Sequence, residues 1–118
     1  MAVNSKAAML RVLRNNAPTS GDECIAFEKT YAEYVGTKHA RVVTNGTSAL
    51  FLSMIGIGLR PGDRIITTPV TWIASAAAPV TLGAEVDFVD IDPDTYNIDP
   101  AGIEEKIGPN TRAIVPVH

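Results

Sequence analysis

The sequence predicts an α/β protein: a three-layer sandwich in which a mostly parallel sheet carries helices on both faces. Short runs rich in valine and isoleucine, of the kind found in strands buried on both sides, alternate with longer segments that favour helix. Glycine, proline and asparagine stand between these runs as turn formers. Alternating strands and helices connect through right-handed crossovers, and the strands are therefore expected to be parallel.

Two helices are predicted before the first strand. The first covers residues 6–14, where alanine, methionine and leucine recur at an amphipathic spacing. After a loop, Ser20 or Asp22 is expected to cap a second helix over about residues 23–35. Gly36 is expected to end that helix.

From residue 40 onwards the pattern changes to alternating strands and helices. The predicted strands cover residues 41–44, 64–68, 86–89 and 113–117. The predicted helices cover residues 47–57, 72–82 and 100–107. Asp99 and Pro100 suit the cap and first position of the last helix. Pro79 is expected to distort the last turn of the helix over residues 72–82.

The turn Asn45-Gly46-Thr47-Ser48 is the main candidate site. A strand that leads through a tight turn into a helix presents free N–H groups and the positive end of the helix dipole. We expect the amides of Gly46, Thr47 and Ser48, with the hydroxyls of the last two, to bind a phosphate. Asn45-Gly46 also suits a two-residue hairpin, although the next residues favour helix. Rossmann and P-loop sites are disfavoured because neither motif is present.

Trp72, the only tryptophan, follows the second predicted strand. Open parallel sheets bind ligands at this carboxyl edge. A tryptophan is more often a core or boundary residue, but beside a phosphate site its indole could stack on a flat aromatic ligand. His118, at the end of the last predicted strand, lies near the same edge and could support the site.

Asp90, Asp92 and Asp94 have the spacing that opens a calcium-binding loop. Thr95 and Ala101 stand where such a loop requires glycine and glutamate. A capped, solvated loop is therefore predicted, and no metal site is expected.

Composition restricts the class of protein. Of the 118 residues 46% are hydrophobic and 19% charged, which is too apolar for a disordered segment. The net charge is −3 and the basic residues are scattered, so no nucleic-acid surface is expected. Cys24 is the single cysteine, in agreement with a reducing cytoplasm. Neither a signal peptide nor a membrane span is expected, because no apolar run is long enough.

Several further motifs follow one another from about Gly21 to the end of the chain. They are Phe27-Glu28, Thr44-Asn45-Gly46-Thr47-Ser48-Ala49-Leu50, Arg60-Pro61-Gly62-Asp63, Thr71-Trp72-Ile73-Ala74-Ser75, Val89-Asp90-Ile91-Asp92 and Thr111-Arg112-Ala113-Ile114-Val115-Pro116-Val117-His118. In this order they resemble the DegT/DnrJ/EryC1/StrS family of pyridoxal-phosphate-dependent nucleotide-sugar aminotransferases.

The resemblance implies part of the large domain of the aspartate-aminotransferase-like fold. Residues 1–20 would form an N-terminal helix and loop, and residues 21–118 a partial cofactor-binding domain. The turn at Gly46, Thr47 and Ser48 would hold the phosphate of pyridoxal 5'-phosphate, and Trp72 would stack on its pyridine ring. The implied activity is amino transfer from an amino acid, often glutamate, to a keto-sugar nucleotide for lipopolysaccharide or polysaccharide biosynthesis. Family members are typically homodimers with the cofactor site near the subunit interface.

The chain departs from the family pattern at Ala77, where members often have asparagine, and at Pro79, where they have an apolar residue. In the family, the lysine that binds the cofactor covalently lies beyond these residues. None of the chain's lysines has its context: Lys6, Lys29, Lys38 and Lys106. We therefore expect no catalytic residue here and no activity of the chain alone. The alternatives are a sugar dehydratase of the same family, with histidine for that lysine, and a non-catalytic binding or structural module.

Overall fold

The computed structural model describes residues 5–16 and 18–117. Contacts divide the chain into two compact units, Met1–Val42 and Val43–His118. The first unit contains the helices α1 (Ser5–Arg14) and α2 (Asp22–Val35). The second contains, in chain order, α3 (Gly46–Gly56), β1 (Arg64–Thr67), α4 (Ala74–Thr81), β2 (Glu85–Phe88), α5 (Pro100–Lys106) and β3 (Thr111–Ile114).

Helix α2 begins without a side-chain cap. Gly21 precedes it in extended conformation, and no described side chain accepts a capping hydrogen bond from the backbone N–H groups of its first turn. The prediction of Ser20 or Asp22 as the cap is therefore wrong. Asp22 is instead the first helical residue, where its negative charge interacts favourably with the helix dipole. Gly36 ends the helix as predicted, with a φ of 74° that suits glycine.

The predicted strand over residues 41–44 is wrong. The backbone N–H of Val42 donates to Oε1 of Glu28 at 2.9 Å, and Nη1 of Arg41 donates to Oε2 of the same carboxylate at 2.7 Å. Glu28 lies on α2, so a helix side chain holds this segment. Apolar residues favour a strand only where another strand accepts their backbone groups, and none in the described sheet does so here.

The sheet confirms the predicted α/β architecture. Its order is β2-β1-β3, with β1 in the centre and parallel to both neighbours. Adjacent residues of β1 face opposite sides of the sheet. Ile65 packs with Met54 of α3 and Ala78 of α4, whereas Ile66 packs with Ile103 of α5 on the other face. Helices therefore cover both faces of the parallel sheet.

The predicted helices and strands after residue 45 are confirmed, with ends shifted by at most three residues. Helix α4 begins at Ala74 because Trp72 and Ile73 belong to the preceding loop. It continues through the buried Pro79 to Thr81. Asp99 caps α5 as predicted, since its side chain accepts a hydrogen bond from the N–H of Ala101 at 2.9 Å. None of the described helices combines the length and apolar character needed to cross a membrane.

Candidate functional site

Helices α3 and α4 both begin at the carboxyl edge of the sheet. The loop over residues 68–73 leads from the end of β1 into α4, so α4 begins at that edge. The loop over residues 57–63 leads from the end of α3 into the start of β1. Helix α3 therefore runs back along the sheet, and its N-terminus lies at the same edge. This is the edge at which open parallel sheets bind ligands.

Asn45 begins α3 and sets which amides remain free. Its backbone is extended, and its Oδ1 accepts a hydrogen bond from the N–H of Ser48 at 2.9 Å. The strand-like hairpin alternative at this turn is thus wrong. The Ser48 amide is already engaged, which corrects the expectation that it is one of the anion-binding donors. The amides of Gly46 and Thr47 have no acceptor among the residues that the structure describes.

Hydroxyl groups flank the two free amides. Oγ of Ser48 lies 3.1 Å from Oγ1 of Thr44, so these hydroxyls share a hydrogen bond. Ser48 is half-buried, whereas Thr47 is exposed. The donor set at this turn is therefore two backbone N–H groups and hydroxyls at the positive end of a helix of 11 residues. Such a set suits a phosphate group.

Gly46 is not required by the fold. A Cβ built at this position would meet no described atom within 4 Å, and its φ is not in the left-handed region. An alanine would therefore fit the chain itself. Glycine is needed where another group approaches the backbone closely, and a bound phosphate would be such a group.

An open cleft of about 420 Å³ lies between α3 and α4, within the volume range of small-molecule sites. Thr47 and Ser48 line one end, and Phe51 continues the wall along α3. Ala77 and Thr81 line the opposite wall on α4. Ala77 contributes only a methyl group to this wall.

Trp72 lies in the loop before α4, and its side chain is 76% exposed. Its carbonyl accepts a hydrogen bond from the N–H of Ser75 at 3.1 Å. Within residues 5–16 and 18–117 no other aromatic ring stacks on the indole. The indole face is therefore available at the edge where α3 also begins, and its stacking on a ligand stays a prediction.

The aspartate-rich loop is capped as predicted. Oδ1 of Asp92 accepts hydrogen bonds from the N–H groups of Thr95 at 2.8 Å and Asp94 at 2.9 Å. These bonds hold the pKa of the Asp92 carboxyl below its ordinary value, and the bond from Thr95 has the larger effect. The carboxylate thus stabilises its own turn.

The sequence analysis did not identify the roles of several residues in this region. Asn45 was placed in the turn without its role as cap, although asparagine directly before a predicted helix is a recognised N-cap signal. Thr44, Thr71 and Ser75 were not singled out, because their hydroxyl bonds depend on the helix geometry. His118 lies outside the described residues.

A model of the DegT/DnrJ/EryC1/StrS aminotransferase family matches residues 1–118. The chain belongs to this family. Its cofactor is pyridoxal phosphate. The match confirms the resemblance carried by the sequence motifs, of which Asn45, Gly46 and Trp72 are parts.

Two of the curated relatives have names that refer to nucleotide-linked sugars. The chain is 47% identical over 94 residues to GDP-perosamine synthase of Caulobacter vibrioides, covering 80% of this chain and 25% of the relative. It is 42% identical over 111 residues to UDP-2-acetamido-2-deoxy-3-oxo-D-glucuronate aminotransferase of Pseudomonas aeruginosa, covering 94% and 31%. The chain thus spans less than a third of the length of these relatives.

Solved structures show the same fold. NtdA from Bacillus subtilis, with bound cofactor PMP, matches with a TM-score of 0.85 and 33% identity over 100% of this chain and 28% of that one. GDP-4-keto-6-deoxymannose-3-dehydratase matches with a TM-score of 0.76 and 31% identity over 83% and 27%. The chain therefore has part of the aspartate-aminotransferase-like fold, as predicted.

Proposed function

We propose that the whole protein to which these residues belong is a pyridoxal-phosphate-dependent aminotransferase. It transfers the amino group of an amino acid, glutamate, to a keto-sugar nucleotide. The observation that carries the proposal is the pair of free N–H groups of Gly46 and Thr47 at the start of α3. The names of the two curated relatives, one with GDP and one with UDP, support a nucleotide-linked sugar as substrate.

The residues of the turn fit the phosphate group of the cofactor. The amides of Gly46 and Thr47, with the hydroxyls of Thr47 and Ser48, would hold the phosphate oxygens. No basic side chain lies within residues 44–48, so the positive end of α3 would supply the compensating charge. Trp72 would stack on the pyridine ring and orient it. When bound, the cofactor supplies an electron sink for the reacting amine.

The partners and location follow from the same proposal. The substrate is a nucleotide sugar, the second substrate is the amino-acid donor, and the whole protein is a homodimer. The cytoplasm is the proposed compartment, where Cys24 stays reduced. Residues 1–20 would form an N-terminal helix and loop, with residues 21–118 as part of the cofactor-binding domain.

A sugar dehydratase of the same family is the second candidate. The match to GDP-4-keto-6-deoxymannose-3-dehydratase favours it, but its identity and coverage are lower than those for NtdA. Both reactions use the same cofactor, so the phosphate turn does not distinguish them. The residue at the family's lysine position in the whole protein does: lysine supports transfer and histidine supports dehydration.

The phosphate turn can be tested by titrating the ¹⁵N-labelled chain with pyridoxamine phosphate and recording amide NMR spectra. The amine form is used because the aldehyde of pyridoxal phosphate would react with the four lysines of the chain. We expect the largest shift changes at the amides of Gly46 and Thr47. Inorganic phosphate should move the same amides at higher concentration.

Hydroxyl variants sharpen this test. Thr47→Val and Ser48→Ala should each weaken pyridoxamine phosphate binding about ten- to a hundredfold, the usual effect of one hydrogen bond to a charged group. Ser53→Ala is the matched control, because its hydroxyl on the same helix bonds only to the carbonyl of Ala49 at 2.8 Å. Shift changes centred away from the start of α3 would contradict the proposal.

A further inference from the structure

A buried serine connects the tryptophan loop to the first turn of α4. Oγ of Ser75 lies 3.0 Å from Oγ1 of Thr71, so the two hydroxyls share a hydrogen bond. The backbone N–H of Ser75 donates to the carbonyl of Trp72 at 3.1 Å. Ser75 therefore holds the loop at Trp72 itself and at the residue before it.

The fold alone does not account for this serine. Ser75 is 7% exposed and lies in an alanine-rich helix, Ala74–Thr81. An alanine at position 75 would pack equally well in this helix. A buried hydroxyl is unfavourable unless it is hydrogen-bonded, and Thr71 is the partner that satisfies it. The hydrogen bond between the two hydroxyls thus stabilises the loop rather than the helix.

The connection restricts the backbone position of Trp72. Its side chain is 76% exposed, so packing in the described part of the chain does little to restrict it. A flexible indole loses conformational entropy when it stacks on a ligand, and this loss lowers affinity. Fixing the backbone on which the indole is carried reduces the loss before the ligand arrives.

We propose that Thr71 and Ser75 are positioning residues that hold Trp72 ready to stack on the ring of the cofactor. Their hydroxyl bond, with the bond from the Ser75 amide to the Trp72 carbonyl, fixes the loop backbone at the carboxyl edge of the sheet. The inference rests on the proposed function only for the identity of the ligand. The restraint on Trp72 is a property of the chain without ligand.

Trp72 makes the inference measurable, because it is the sole tryptophan of the 118 residues. Time-resolved fluorescence anisotropy of the chain without ligand reports the local motion of this indole directly. Thr71→Val removes the hydroxyl at nearly constant volume, and Ser75→Ala removes its partner. Both variants should increase the amplitude of the fast, local anisotropy decay. Thr71→Ser keeps the hydroxyl and should restore the behaviour of the unaltered chain.

Ligand binding provides the second measurement. Quenching of Trp72 fluorescence by pyridoxamine phosphate should weaken about three- to tenfold in Thr71→Val and Ser75→Ala, as expected for one lost hydrogen bond. Thr71→Ser should bind as the unaltered chain does. Ser53→Ala is the matched serine control, and circular dichroism melting confirms that each variant is folded.

The outcomes separate the two proposals. Unchanged anisotropy in both Thr71→Val and Ser75→Ala would overturn the positioning role. The same result for Thr71→Ser as for Thr71→Val would also overturn it, because packing rather than the hydroxyl would then restrain the loop. A third outcome is that the variants show the expected change in anisotropy but pyridoxamine phosphate does not quench the unaltered chain. The positioning of Trp72 then stands, and the proposed cofactor is wrong.

Discussion

Oδ1 of Asn45 lies 2.9 Å from the backbone nitrogen of Ser48 and accepts its hydrogen. This single bond begins α3 and removes one of three amides from the candidate anion site. The two amides that remain, those of Gly46 and Thr47, face the carboxyl edge of the sheet where α4 also begins. The same residue thus controls both the stability of the helix and the donors available to a ligand.

The first prediction concerns Asn45→Ala. Loss of a helix cap should lower the free energy of unfolding by about 1 kcal/mol, since the Ser48 amide loses its acceptor. Urea denaturation followed by circular dichroism measures this change. Asn97→Ala is the control, because the side chain of Asn97 is exposed and makes no hydrogen bond with the described residues. Equal stability of the two variants would contradict the capping role.

Asn45→Asp should separate stability from ligand binding. The carboxylate keeps the acceptor for Ser48 and interacts favourably with the positive end of α3, so stability should be maintained or increased. Its negative charge beside a phosphate dianion should weaken pyridoxamine phosphate binding about tenfold. The effect should decrease at high salt. Binding equal to that of the unaltered chain would count against a phosphate at this turn.

Gly46→Ala tests whether this glycine serves the ligand. A Cβ at Gly46 meets open space, so the free energy of unfolding should stay within about 0.5 kcal/mol of the original value. Binding of pyridoxamine phosphate, measured by NMR titration, should weaken because the methyl group occupies the approach to the amides. Gly56→Ala, at the other end of α3 and also in open space, should bind normally. Loss of binding in both variants would assign the effect to the helix as a whole.

Gly102→Ala tests the packing of α5 on the sheet. A Cβ at Gly102 would lie 2.8 Å from Cγ1 of the buried Val89, which is too close for ordinary contact. We expect the free energy of unfolding to fall by about 1–3 kcal/mol, the usual cost of overpacking. Gly108→Ala, where nothing lies within 4 Å, is the control.

A second substitution identifies the atom responsible. In a Val89→Ala background, Gly102→Ala should cost much less, because the methyl group it meets has been removed. A penalty unchanged in that background would show that the backbone of α5, rather than the contact with Val89, resists the substitution.

The pH dependence of the segment after α2 follows from Glu28. The N–H of Val42, and then the guanidinium of Arg41, hold the pKa of the Glu28 carboxyl below its ordinary value of 4.5. A carboxyl group with a lowered pKa stabilises the folded form above its unfolded pKa, and this contribution is lost as the pH falls through the folded pKa. We therefore expect the contact with Val42 to be intact above pH 4.5 and to weaken progressively below it.

The Val42 amide shift in NMR spectra measures this titration. Its midpoint should lie below 4.5, and Glu28→Gln should abolish the titration. Glu33→Gln, which removes an exposed carboxylate of the same helix, should leave the midpoint in place. A midpoint at or above 4.5 in the unaltered chain would contradict the assigned contacts.

The alternation of strands and helices, the left-handed Gly36 and the Asp99 cap were all predicted from sequence. The two helix ends depend on bonds between residues at most four or five positions apart, and the alternation follows from the residue types within each segment. The motifs around Asn45 and Trp72 also identified the family, which the comparison confirms. The family motifs and the helix ends are thus determined by which residues stand close together in the sequence.

The tertiary structure alone decided three matters. Residues 41–43 have strand-like composition, but the Val42 N–H donates its hydrogen bond to the carboxylate of Glu28 on α2. In a strand, that hydrogen bond would go to a carbonyl of a neighbouring strand. The close approach of Gly102 to Val89 likewise joins residues distant in sequence. The amides of Gly46 and Thr47 stay free because no acceptor elsewhere in the described residues reaches them. A strand, a packing contact and a free donor are each defined by a partner or its absence in space, and local residue preferences do not specify that partner.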